Sequence, residues 1–98
     1  PVLTVPGETF ASRVAASLVA ACELPELACA DAQTYVDTAV SLASHPQALA
    51  AMKQRLEQGR MQLPLFDTAR YAADFEALLQ RMFERAQAGL PPQPLPAA

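Results

Sequence analysis

The chain has 98 residues, 52% of them hydrophobic and 17% charged, a balance suited to one small, globular, soluble domain. A formal charge of −3 and the absence of any Lys/Arg cluster argue against nucleic acid or an anionic membrane surface as partner. No apolar run approaches a membrane span, and Val14–Cys22 is too short and wrongly flanked for a signal peptide, so the cytoplasm is the expected compartment.

Leu3–Val5 reads as the end of a buried strand and Pro6-Gly7 as a turn. Glu8 to about Ala21 then reads as a helix, with Phe10, Val14 and Leu18 at i, i+4 and i+8 forming a stripe that packs on a sheet. Leu27–Ala30, between Pro25 and Asp31, reads as a second, edge strand, parallel to the first because a helix connects them. Asp31 caps a helix whose Val36, Val40 and Ala43 share a face. Ser44-His45-Pro46 ends that helix and opens another, with Pro46 at the favoured first position and His45 in the capping place. Leu49, Met52 and Leu56 give the third helix its stripe, and Gly59 closes it. Met61–Phe66 is an irregular apolar connector. Asp67-Thr68 opens the longest helix, in which Tyr71, Phe75, Leu78 and Met82 recur at helical spacing before it ends at Gly89. Gly89–Ala98 carries four prolines and no periodicity, so residues 1–89 are read as the folded part and 90–98 as a disordered or extended Pro-rich tail.

Two short parallel strands and four helices do not make an independent core, because parallel sheets are covered on both faces. The pattern is that of an α/β, mostly helical segment from the carboxyl-terminal end of a larger α/β domain, cut just before a strand; the lack of a starting Met agrees.

Chemistry-bearing residues are few. Cys22 and Cys29 sit seven apart in apolar surroundings, with His45 as the sole histidine, which is not zinc spacing; they read as buried thiols in a reducing compartment. The corner Pro6-Gly7-Glu8-Thr9 stands where a helix begins after a strand, a place that often receives phosphate. One glycine stands where dinucleotide sites use three, and Glu8 brings a negative charge that repels phosphate. Glu8 can instead accept hydrogen bonds from sugar hydroxyls, or cap the helix and pair with Arg13, which is the preferred reading; Arg13 reads as a structural residue that fixes the loop by a carboxylate pair, to Glu8 or to a residue outside this chain. Asp67 and Asp74 read as solvated, and the Tyr71–Met82 stripe as core. No catalytic set and no metal site emerge.

The opening P-V-L-T-V-P-G-E-T-F-A-S-R-V-A-A-S-L resembles the strand-turn-helix signature near the carboxyl terminus of the O-linked N-acetylglucosamine transferases of the SPINDLY-like family, glycosyltransferase family 41. The likeness continues through E-L-A-C-A (Glu26–Ala30), Y-V-D-T-A-V-S-L (Tyr35–Leu42) and L-P-L-F-D (Leu63–Asp67) with Tyr71, covering about residues 1 to 88. Leu63-Pro64 stands where the family has Ser-Pro, and the Ala-rich helices suggest a bacterial relative. The resemblance implies a GT-B enzyme with two Rossmann-like lobes, this chain holding the end of the second. It further implies tetratricopeptide repeats upstream, UDP-N-acetylglucosamine as donor, Ser or Thr hydroxyls of proteins as acceptors, and neither a cofactor nor a metal. The family's UDP-holding Lys, His-Thr-Thr run and Asp lie upstream of this signature, and its proposed reaction-centre histidine lies in the first lobe, so His45 does not take that role. Pro6, Gly7, Glu8, Thr9, Ser12 and Arg13 match the motif one for one; the resemblance implies that they shape the floor of the inter-lobe crevice without catalysing.

Overall fold

The computed structural model describes residues 1–96. It divides into two compact units, Pro1–Phe66 and a second beginning at Asp67. The described residues are mostly helical, with four α-helices among them: α1 (Phe10–Ala21), α2 (Ala32–Ser44), α3 (Pro46–Gly59) and α4 (Thr68–Gln87). Single 3-10 turns at Pro25–Leu27 and Pro64–Phe66 fill two of the connections.

Local chemistry sets the helix ends. The Asp31 carboxylate accepts from the Thr34 N–H at 2.7 Å to start α2, and the Asp67 carboxylate accepts from the Arg70 N–H at 2.9 Å to start α4. Pro46 occupies the first turn of α3, where its missing N–H costs nothing. His45 stands between α2 and α3 as expected, but its side chain does not cap α3. Its Nδ1 donates instead to the Ser41 carbonyl at 2.7 Å, satisfying an acceptor freed at the end of α2.

The first unit has a small core of Val19, Leu24 and Leu27, against which Leu3, Leu42, Met52 and Leu56 pack. A C-terminal reversal builds it. After α1 the chain enters the left-handed region at Glu23, φ 59°, and the Leu24 N–H bonds to the Val19 carbonyl at 2.9 Å while the Glu23 N–H bonds to Ala20 at 3.0 Å. These are the paired bonds of a Schellman motif, which set the residue after the reversal against the last turn. Here that contact, Leu24 on Val19, is buried. Arg55 of α3 donates to the Glu23 carbonyl at 2.9 Å and ties the reversal down.

Three sequence expectations need correction. The two strands are absent among the described residues; their pairing survives as one parallel bridge between Thr4 and Ala28, with Thr4 N–H to the Leu27 carbonyl at 3.0 Å and Cys29 N–H to the Thr4 carbonyl at 2.7 Å. Pro6, which has no N–H, limits the ladder on one side, and the 3-10 turn before Ala28 and the cap at Asp31 limit it on the other. The stripe Phe10–Val14–Leu18 is exposed, Phe10 at 86%; α1 turns Val19 inward instead. On α2, Val36 and Val40 are exposed, and Thr38, Ala39 and Leu42 are the partly buried positions.

The second unit is α4 followed by Ala88–Pro96. Its described residues include no buried side chain, and Tyr71, Phe75 and Met82 of the expected core stripe are exposed while Leu78 is half-buried. Tyr71 and Phe75 stack along the helix, ring centroids 6.1 Å apart and 9° from parallel. Part of the tail expectation, Ala97 and Ala98, lies outside the described residues.

Candidate functional site

The six sequence-selected residues all lie in the stretch Pro6–Arg13 that leads into and through the first turn of α1. α1 begins at Phe10, two positions later than the pattern suggested, because Thr9 rather than Glu8 is the N-cap. Thr9 has extended backbone, φ −80° and ψ 154°, and its hydroxyl accepts from the Ser12 N–H at 3.3 Å. The two hydroxyls also interlock: Thr9 Oγ1 donates to Ser12 Oγ at 3.0 Å, and Ser12 Oγ donates to the Thr9 carbonyl at 2.8 Å. A threonine three residues before a serine is the signal that identifies this cap, since Thr oxygen suits the free N–H groups of a first turn and a glutamate side chain is too long to close that loop.

Gly7 belongs to the same knot. A Cβ at Gly7 would stand 2.8 Å from Ser12 Oγ and 3.2 Å from Ser12 Cβ, so a side chain there would push the Ser12 hydroxyl out of its place. Gly7, Thr9 and Ser12 thus form one tight corner. Glu8 and Arg13 do not join it. Both are exposed and border a shallow depression with Phe10, Val14 and Ser17. The pair expected between them is not formed: among the described residues the one ion pair is Arg70–Asp74, 3.8 Å apart on the surface of α4. Pro6 precedes the corner, exposed.

Chemically the corner is a helix start with the Ser12 N–H engaged by the Thr9 hydroxyl, flanked by the Glu8 carboxylate and the Arg13 guanidinium. It assembles no nucleophile with a base. Nor do three or more His, Cys, Asp or Glu converge among the described residues. Cys29 is buried and Cys22 half-buried, both as free thiols; the Cys29 Sγ lies 3.8 Å from the Leu27 carbonyl and 4.0 Å from Thr38 Oγ1. The backbone and side-chain hydrogen bonds from Thr34 hold the Asp31 carboxyl below the ordinary aspartate value of 3.8. Along the second half of α1, an open apolar recess lined by Pro1, Val2, Leu18, Val19, Leu27 and Leu56 presents a packing surface rather than a polar binding site. No helix among the described residues is long and apolar enough to cross a membrane.

Comparison with known proteins gives this corner a context. The chain is 40% identical over 91 residues to the UDP-N-acetylglucosamine–peptide N-acetylglucosaminyltransferase of Caenorhabditis elegans, a match covering 93% of this chain and 8% of that protein. It is 35% identical over 94 residues to a probable UDP-N-acetylglucosamine–peptide N-acetylglucosaminyltransferase, SEC, of Arabidopsis thaliana, covering 95% of this chain and 10% of the relative. It is 28% identical over 85 residues to a probable enzyme of the same name, SPINDLY, of Solanum lycopersicum, covering 87% and 9%. The chain therefore spans about a tenth of the length of these relatives. The model of glycosyl transferase family 41 matches residues 1–75, from the Thr4 bridge and the α1 corner well into α4. On that match, and on the likeness to the nematode and Arabidopsis enzymes, the chain belongs to glycosyl transferase family 41.

Proposed function

We propose that this chain forms the carboxyl-terminal end of the second Rossmann-like lobe of a GT-B enzyme, and that the whole protein moves N-acetylglucosamine from UDP-N-acetylglucosamine to Ser or Thr hydroxyls of proteins. The observation that carries the reading is the family match over residues 1–75, which includes the Gly7–Thr9–Ser12 corner. A parallel bridge whose two sides are joined through α1 is the smallest form of a strand–helix–strand crossover, which supports membership in such a lobe. In open α/β sheets ligands bind outside the carboxyl ends of the strands, and the corner occupies that position after Thr4. Its residues then shape the crevice floor while acid, base and donor-holding groups come from upstream. The rest of both lobes and upstream tetratricopeptide repeats are its partners in this reading, and the cytoplasm its compartment.

The test uses the full-length parent. Turnover of UDP-N-acetylglucosamine on a protein acceptor, and its excess over UDP-glucose, is the expected result. Preference for UDP-glucose would reassign the donor, and no transfer from either would overturn the reading. Arg13→Ala in the same protein separates a loop-fixing role from a ligand contact. Loss of melting temperature together with activity supports the former; an unchanged melting temperature with weakened donor binding, on the order of 2 kcal/mol or more, supports the latter.

The exposed stripe of α4 favours a second reading, an interaction helix laid into a partner's groove. The residues encoded upstream of Pro1 decide between the two. A His-Thr-rich, Gly-containing segment followed by Asp supports the transferase, and an unrelated domain supports the interaction helix.

A further inference from the structure

The chain beyond α4 turns back on the helix. Gly89, φ 66°, donates to the Ala86 carbonyl at 3.0 Å and the Leu90 N–H to the Arg85 carbonyl at 3.1 Å, so the last turn closes as a Schellman motif and reverses the chain. Two guanidinium groups then hold the returning segment at its ends. Arg85 Nε donates to the Pro91 carbonyl and Arg81 Nη1 to the Pro96 carbonyl, each at 2.7 Å. The order is inverted, Pro91 on the later arginine and Pro96 on the earlier, so the segment runs antiparallel to α4.

The pairing is chemically matched. Pro91, Pro92, Pro94 and Pro96 have carbonyls but no N–H, so the segment is rich in acceptors that it cannot satisfy itself. Arginine only donates, through a planar fork. Arg81 and Arg85 are half-buried on a helix otherwise largely exposed, and Leu95 is half-buried while Pro94 and Pro96 beside it are exposed. Between segment and helix lies a groove lined by Met82, Ala86, Leu90 and Leu95. Docking costs a proline-rich segment little, because its extended conformation is already populated and little order is lost. We propose that the C-terminal half of α4 is a docking face for an extended, proline-rich peptide segment, and that the chain's own Pro91–Pro96 occupies it in cis. The assignment stands independently of the transferase reading.

The test is nuclear magnetic resonance on the full 98-residue chain. The amides of Gln93 and Leu95 should have order parameters near those of α4, above about 0.8, and should fall below about 0.6 in Arg81→Gln/Arg85→Gln. Low values already in the unaltered chain would overturn the proposal, as would values unmoved by the double substitution. A synthetic peptide L-P-P-Q-P-L-P supplies the second arm. Added to the variant Pro94→Gly/Leu95→Gly, whose tail no longer competes, it should shift Met82, Arg85 and Ala86 and bind at least ten-fold more tightly than to the unaltered chain, where the tethered segment acts at millimolar effective concentration. Equal binding to both chains, or no shift of α4 at millimolar peptide, would sink the assignment. A concentration-dependent change in the tail signals of the unaltered chain would show tails exchanged between copies and overturn cis occupancy.

Discussion

Helices α1 and α4 end in the same backbone reversal with different residues at its left-handed position. After α4 it is Gly89, φ 66°; after α1 it is Glu23, φ 59°. A side chain there costs about 1–2 kcal/mol that glycine avoids. The first unit tolerates that cost because its reversal seats Leu24 on Val19 in the core and because Arg55 donates to the Glu23 carbonyl. In the second unit the equivalent Leu90 is 51% exposed, and no side chain among that unit's described residues is buried. Where tertiary burial holds a turn, its sequence is free to vary; where the turn stands on local chemistry alone, the residue with the right conformational freedom is needed.

The sharpest challenge to this contrast is a pair of truncations. Leu27 is 0% exposed, and Leu27→Ala should cost about 2–5 kcal/mol in urea unfolding followed by a probe in Pro1–Phe66. Phe75→Ala, at a side chain 48% exposed, should stay within about 0.5 kcal/mol. Equal costs would mean that α4 has a core of its own and erase the distinction.

A smaller effect, of opposite sign at the two reversals, comes next. Gly89→Ala should destabilise the end of α4 by about 1 kcal/mol, whereas Glu23→Gly should stabilise the end of α1 by up to about the same amount. Hydrogen exchange at Leu90 and Leu24, whose N–H groups close the two motifs, reports each locally. Destabilisation by Glu23→Gly would show that the Glu23 side chain itself contributes.

The α1 corner offers a test by coupling. Gly7→Ala should cost about 1 kcal/mol, by forcing the Ser12 hydroxyl away from the Thr9 carbonyl. In a Ser12→Ala background the same change should be nearly neutral, because the group it collides with is gone. Additive effects in the double-mutant cycle would break the link between glycine and cap.

The mildest perturbation is acid. Asp31 has a lowered folded-state pKa, so its contribution is fully present above the ordinary value of 3.8 and is lost as pH falls through the lowered folded value. Asp31→Asn keeps an oxygen for the Thr34 N–H but does not titrate. The stability difference between the two chains should be flat above about pH 5 and change below 3.8. Parallel pH profiles throughout would remove Asp31 from the acid response.

What could be read in advance follows the range of the interaction. Asp31, Pro46 and Asp67 mark helix starts through contacts spanning one turn, and each start lies where the residues indicate. The corner residues were identifiable from their match to a family signature, but Gly7's packing on Ser12 was not, because it depends on where the cap folds the hydroxyl. The inward face of α1 departs from its apolar pattern for a related reason. Phe10, Val14 and Leu18 form the longer apolar stripe, yet the reversal at Glu23 brings Leu24 onto Val19 and so selects the other face. The strands of Leu3–Val5 and Leu27–Ala30 shrank to one bridge because regular pairing needs consecutive free N–H groups, and prolines and helical turns bracket this one.

That bridge also sets an order of events during synthesis. The N–H and the carbonyl of Thr4 both bond across it, to Leu27 and Cys29, so the amino-terminal segment cannot be anchored until all of α1 and its reversal have left the ribosome. Local helix turns form within microseconds, while a parallel closure through a whole helix waits for the loop entropy to be met. Pro1–Pro6 therefore comes first in this unit yet settles only after roughly twenty-five further residues, through Cys29, have been made. In that interval its exposed Val2 and Val5 are free to meet whatever chain precedes them.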